Sequence, residues 1–225
     1  MVLVISNILD AETAKSFREK AGKLKWRDGR ITAGATAKSA KRNEQANLSN
    51  GPGRAFRDAL AEIVSSHPVL NAAARPRRFS NLMVSRTADN GHYGPHVDNA
   101  IMGKDGARFR TDLSFTLFLT PPETYEGGEL IIHTSGAAQS LKEEAGSLIL
   151  YPTSEIHEVA PVTRGVRMAC VGWIESLIAD TAQRDLLFDL ENLRASMRER
   201  SSEQSAELLT LDKTIANLLR MWATP

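Results

Sequence analysis

His96 and Asp98 flank a single residue, Val97, so an imidazole and a carboxylate lie two positions apart. In an extended segment such residues point to the same side, and both side chains can reach one ion. A third ligand must come from elsewhere in the chain. His157 is the best candidate, because it opens a predicted strand after the turn text YPTSEI; His133, at the end of another predicted strand, competes with it. Two imidazoles and one carboxylate leave coordination positions open, the arrangement that suits non-haem iron(II) oxygen chemistry. Open-sided zinc sites use the same donors. A zinc hydrolase or cupin-like isomerase is therefore the alternative reading, although the chain has no HExxH.

Ten residues after His157 stands Arg167, near the start of the run VRMACVGWI, whose other side chains are mostly small or apolar. A guanidinium facing into such a sheet needs an anion, since a buried unpaired charge is very costly. A dicarboxylate provides one. 2-Oxoglutarate would chelate the metal through its 2-oxo and adjacent carboxylate oxygens and offer its distal carboxylate to the fork of Arg167. Strand parity alone leaves the orientation of Arg167 open.

Other polar residues have two readings each. His92 and Tyr93 can line a substrate mouth or be ordinary turn residues. Tyr151 can donate to a co-substrate carboxylate or pack with its hydroxyl at the surface. His67, before Pro68, reads as a solvent-facing helix cap. Glu126 to Glu129 reads as a glycine-dependent hairpin turn with its acids in solvent. Lys38, Lys41, Arg42, Arg75, Arg77 and Arg78 read as solvated loop charges rather than contacts to an acidic substrate. Cys170 reads as a small core residue.

The elements that must position these groups follow from periodicity. Val2 to Ile5 predicts a strand, Asp10 an N-cap, and Ala14, Phe17 and Ala21 a helix face. A second short strand includes Leu24 and Trp26. Arg30 to Gly53 has no clear period and reads as loop or lid. Phe56, Leu60, Ile63 and Val64 mark a helix that stops near His67. From Arg78 to Ile174 the text becomes short β-rich runs between turn clusters: Phe79 to Arg86, Thr111 to Thr120, Glu129 to His133, Gln139 to Glu143, Ser147 to Tyr151, His157 to Val159 and Val166 to Ile174. Seven such strands suggest a double-sheet jelly roll, cupin-like, in a mainly β chain with flanking helices. Leu187, Leu190, Leu193 and Met197, then Leu208, Leu211, Ile215, Leu218 and Leu219, predict two C-terminal helices whose leucine faces cover the barrel or, as the sharper alternative, form a homo-oligomer interface. The expected division is 1–77 N-terminal helices and strands, 78–177 jelly-roll core and 178–225 helical appendage.

The 225 residues, 42% hydrophobic and 24% charged, are ordinary globular composition. Lys and Arg total 28 against 27 acids, so no general attraction to nucleic acid or anionic membrane is expected. One cysteine excludes an intrachain disulfide and any multi-cysteine metal site. With no signal-peptide pattern and no membrane-spanning run, a cytoplasmic location is expected.

The text HYGPHVDNAIMG, then RTDLSFTLFLTPPETYEGGELII, then GSLILYPTSEIHEVAPVTRGVRMACVGWIES, with a helical appendage after it, resembles the bacterial PKHD-type hydroxylases, relatives of prolyl and lysyl hydroxylases that include members associated with iron uptake. The resemblance covers nearly the full length. It implies a double-stranded β-helix, iron(II) held by His96, Asp98 and His157, 2-oxoglutarate anchored by Arg167, and ascorbate as a further cofactor. It also implies that O2 and 2-oxoglutarate are consumed, with release of succinate and CO2, as a substrate is hydroxylated. The link to iron uptake adds one more alternative, a non-catalytic iron-binding or sensing module. The substrate is left open among peptidyl proline or lysine, a free amino acid and a siderophore-like molecule.

Overall fold

The computed structural model describes residues 1–32, 38–104, 106–200, 202 and 205–224. Strand β1 (Leu3–Ile5) leads into helix α1 (Ala11–Gly22), which starts where Asp10 accepts a hydrogen bond from the Thr13 N–H at 2.7 Å, satisfying one orphan amide of the first turn. Strands β2 (Trp26–Asp28), β3 (Lys41–Arg42) and β4 (Glu44–Ala46) follow. The stretch expected as loop or lid thus carries two strands and the start of a helix, while its residues 33–37 lie outside the described residues. The texts KR and EQA are too short and too polar to register as strands.

Helix α2 (Gly51–Ser66), capped by Asn50, buries Phe56, Leu60 and Val64 and stops before His67, as the following proline requires. Pro68 then opens α3 (Pro68–Ala74), a helix the periodicity does not predict; proline is well tolerated at a first helical position.

The β-rich region comprises β5 (Pro76–Phe79), β6 (Met83–Thr87), β7 (His92–His96), β8 (Ile101–Met102), β9 (Phe109–Arg110) and β10 (Leu113–Phe118). It continues with β11 (Glu126–Gly127), β12 (Leu130–His133), β13 (Ala138–Leu141), β14 (Leu148–Pro152), β15 (Ile156–Val159), β16 (Val162–Arg164) and β17 (Arg167–Ser176). The run Phe79 to Arg86 is divided between β5 and β6, and β7 occupies text that reads as a turn.

Two sheets result. The larger runs β1-β14-β10-β17-β6-β4-β2, with β5 also paired to β17; the smaller runs β13-β12-β15-β7-β3. Together they form the expected jelly roll, and strands from the first 77 residues extend both sheets. Side-chain alternation separates the two faces of the larger sheet. On β10, Leu113, Phe115 and Leu117 join the core shared with Phe17, Phe56 and Leu60 of the helices, while Phe118 joins Leu130, Ile132, Ile149 and Tyr151 between the sheets. Ser114 and Thr116 share the face of Phe118 and line a cavity of about 320 Å³ between the sheets. On β17, Met168, Cys170 and Ile174 turn to the helical core, which puts Arg167, Val171 and Trp173 on the cavity side.

Helices α4 (Thr181–Arg198) and α5 (Ala206–Trp222) close on each other. Ile178, Leu187 and Ile215 are buried there with Leu190, Leu211, Leu218, Leu219 and Trp222 around them, a cluster separate from the main core. Only Phe188 of α4 reaches the main core. The leucine faces therefore satisfy one another rather than cover the barrel, and Leu193 is half exposed at 50%. Among the described residues, no helix is long and apolar enough to cross a membrane.

Candidate metal centre and anion pocket

His96 ends β7 and His157 sits directly across from it on β15, so strand pairing alone brings two imidazoles together from positions 61 residues apart in sequence. Their ring centroids are 4.3 Å apart. Asp98, just past the end of β7, completes the group: its Oδ1 is 3.8 Å from His96 Nε2 and its Oδ2 is 3.5 Å from His157 Nε2. One ligand atom from each residue lies within 4.8 Å of the others. The donor set, two neutral nitrogens and one carboxylate on one face, fits an iron(II) ion.

The surroundings fix which atoms face inward. His96 Nδ1 donates to the Gly94 carbonyl at 2.8 Å, and His157 Nδ1 donates to the Glu155 carbonyl at 3.0 Å. A carbonyl only accepts, so each Nδ1 carries a proton, and in the neutral ring the lone pair is left on Nε2. Burial, then the neighbouring His157, pushes the His96 pKa down to about 4, which keeps its ring neutral. Tyr93 stacks on His96 at 3.6 Å between centroids. Asp98 Oδ2 accepts from Trp173 Nε1 at 2.8 Å and from Ser114 Oγ at 2.9 Å. Such outer partners orient ligands and raise their affinity for metal.

Arg167 lines the same cavity and is 2% exposed. Its Nε and Nη2 have no hydrogen-bond partner, and the nearby Tyr125 hydroxyl has none either. The guanidinium lies over the Phe118 ring, 5.1 Å from its centroid. A buried cation with donors left over fits the carboxylate of a ligand. Gly128 explains how the arginine is accommodated: at φ +72° a Cβ there would come within 2.9 Å of Arg167 Cδ. The GG text thus does more than turn the chain. Glu126 faces solvent and pairs with Arg164, as expected, whereas Glu129 is half-buried.

The competing residues separate cleanly. His133 is partly exposed and pairs with Glu158 at 3.1 Å, outside the cluster. His92 bonds the Asn90 carbonyl and does not line the cavity, whereas Tyr93 does. Tyr151 also lines it and is buried, which removes the reading of a surface hydroxyl. His67 is the cap residue between α2 and α3, as expected, but it is half-buried with an unpartnered Nδ1 rather than solvent-facing. Cys170 is a core residue as expected. Arg42, Arg77 and Arg78 are exposed, but Arg75 is half-buried against Glu191. Lys41 corrects its reading most: it is 6% exposed and lines the cavity, because β3 tucks it beside Tyr93. A lysine aligned with text that looks like loop carries no sequence signal of burial.

Residues 82–175 match the family model of the 2OG-Fe(II) oxygenase superfamily, and residues 181–224 match the model of the PKHD-type hydroxylase C-terminal domain. A PKHD-type hydroxylase of Hyphomonas neptunium is 50% identical over 222 residues, 99% of each chain. The chain belongs to the PKHD-type hydroxylases. The PKHD-type hydroxylase YbiX of Escherichia coli O1:K1 is 40% identical over 224 residues, again 99% of each. Solved structures share the fold at low identity. A Pseudomonas putida prolyl-4-hydroxylase superposes with a TM-score of 0.53 at 17% identity, over 78% of this chain and 92% of that one. HygX of Streptomyces hygroscopicus, solved with nickel and 2-oxoglutarate bound, gives 0.55 at 15% identity, over 79% and 84%. As a PKHD-type hydroxylase the protein is an oxidoreductase, and its superfamily implies iron(II) and 2-oxoglutarate.

Proposed function

We propose that this PKHD-type hydroxylase holds iron(II) with His96, Asp98 and His157, anchors the distal carboxylate of 2-oxoglutarate on Arg167, and hydroxylates a substrate entering the same cavity. The observation that carries the reading is the buried Arg167, with two unpartnered N–H donors, in one cavity with the His-Asp-His cluster. Bound iron with 2-oxoglutarate supplies the oxidising chemistry: O2 and 2-oxoglutarate are consumed, succinate and CO2 leave, and one oxygen atom goes to the substrate.

The chain's own residues do the positioning. The carbonyls of Gly94 and Glu155 aim the two Nε2 atoms, Trp173 and Ser114 hold Asp98, and the walls of the two sheets exclude water. Tyr151 and Tyr125, both near Arg167, stand where a second donor to the co-substrate carboxylate is useful. Ascorbate serves to return iron to the ferrous state after turnovers without substrate.

The test is succinate formation from 2-oxoglutarate under air, with protein purified anaerobically and loaded with iron(II) or zinc. Activity with iron alone, lost together with bound metal in His157→Ala, is the expected result. Undiminished turnover in His157→Ala, or equal activity with zinc, would overturn the assignment.

A further inference from the structure

A second cation lines the cavity that holds Arg167. Lys41 is buried, its ammonium 4.6 Å from the centroid of the Tyr93 ring, and among the described residues no carboxylate lies within ion-pair distance of it. Among the described residues its ammonium makes one hydrogen bond, a long one, 3.4 Å to Thr32 Oγ1. That hydroxyl lies 2.8 Å from Gln45 Oε1 and 3.0 Å from the Gly29 carbonyl, and its single proton serves one of the two. In the orientation seen, Gln45 Nε2 has among the described residues only the Met83 sulfur, at 3.7 Å. Gln45 is as buried as Lys41 and lines the same cavity.

The chain brings these donors together by changing sheets. β3 pairs with β7, opposing Lys41 to Tyr93, and β4 pairs with β6, opposing Gln45 to Ser85. Residues 41–46 thus cross from the smaller sheet to the larger, and their inward side chains present an ammonium and an amide N–H2 to one space. Among the described residues, Lys41 Nζ has only that long contact and Gln45 Nε2 only a sulfur as acceptor. A metal dication at the His-Asp-His cluster adds positive charge nearby, which makes an unpaired ammonium costlier still. Arg167 is already matched to the co-substrate under the proposed function, so these donors call for a different anion.

We propose that Lys41 and Gln45 form the subsite that recognises a carboxylate on the molecule to be hydroxylated, and that this molecule is a small carboxylate-bearing compound. The proposal rests on the dioxygenase reading of the site. A cavity of about 320 Å³, at the low end for small-molecule sites, shared with 2-oxoglutarate, leaves room for a compact substrate. Lys41 and Gln45 are specificity residues in this scheme, in contact with substrate but not with the reacting atoms.

The test uses the full chain loaded with manganese(II) in place of iron and saturated with 2-oxoglutarate, with acetate as probe and the neutral isostere acetamide as control. Paramagnetic relaxation of the methyl protons reports proximity to the metal even for weak binding. Acetate is expected to show an effect about tenfold larger than acetamide, the size of a charged hydrogen-bond contribution. Lys41→Met should abolish that difference, and Gln45→Glu, which keeps the lysine but adds a competing charge, should abolish it as well. Equal relaxation of the two probes overturns the proposal, as does an acetate effect that survives both substitutions, since acetate is then on the metal. Anaerobic 2-oxoglutarate titration of the same samples is the separate readout. A raised 2-oxoglutarate requirement in Lys41→Met assigns the lysine to the co-substrate and also overturns the proposal. Failure of the unsubstituted protein to bind 2-oxoglutarate overturns the dioxygenase reading beneath it.

Discussion

Two buried cations that line the cavity, with no acid in ion-pair distance among the described residues, stand out at the residue scale. Arg167 offers a planar fork to a carboxylate, and lysine cannot reproduce it. Arg167→Lys should therefore raise the half-saturating 2-oxoglutarate concentration about tenfold or more, measured by succinate formation. Lys41 gives a prediction about stability. Burial pushes its pKa down to about 8 from 10.5, against the pull of Asp98. Between these values the folded protein binds fewer protons than the unfolded chain, so stability rises with pH across that window; below about 8 the cost of the buried charge is fully present. Lys41→Met should accordingly stabilise the metal-free protein at neutral pH by on the order of 2 kcal/mol. Thermal melts should show the advantage shrinking as pH rises through 8 toward 10.5. A pH-independent difference would place the effect in packing. A residue that weakens the empty protein yet lines its cavity is what binding function leaves behind.

Among the elements, β17 carries the most. It supplies Arg167 and Trp173 to the cavity and sits between β10 and β6. Its Gly172 opposes Phe115, and a Cβ there would lie 2.6 Å from the ring Cζ. Gly172→Ala should cost about 2 kcal/mol by overpacking, seen as a melting temperature lowered by roughly 4–8 °C. Unchanged melting would mean that the Phe115 ring yields freely. The long strands β10, β14 and β17 are legible in the sequence because their runs of apolar and β-forming residues extend for five residues or more. β3, β4 and β7 are not, since two are very short and the third contains Gly94 and Pro95, which read as turn. That gap explains the site as well. His96, Asp98, His157 and Arg167 stand out by type and spacing, whereas Lys41 and Gln45 become visible only when both sheets are assembled around them. The inward orientation of Arg167 is likewise a tertiary result, decided by the core that its neighbours Met168 and Cys170 join.

At the scale of the whole molecule, the C-terminal helices are bound to the body by charge as well as by apolar contact. Arg75 follows α3 in the left-handed region, at φ 46°, and pairs with Glu191 of α4, which also receives Arg194. Both partners of the first pair are largely buried, at 16% and 10% side-chain exposure. Glu191→Ala should leave Arg75 uncompensated and cost about 2 kcal/mol or more. Chemical denaturation should report the loss, with 2-oxoglutarate turnover at 25 °C preserved because Glu191 lies away from the cavity. Unaltered stability would show that the pair is solvated in solution. The central cavity is insulated from such damage in a further way. The proton positions of His96 and His157 are set by the carbonyls of Gly94 and Glu155, which every amino acid possesses. Genetic drift can alter any side chain around the two imidazoles without removing the groups that choose their tautomers. The aim of these nitrogens is therefore inherited with the backbone path, and mutational loss of the proposed centre must come through His96, Asp98 and His157 themselves, the side chains of Ser114 and Trp173, or the fold itself.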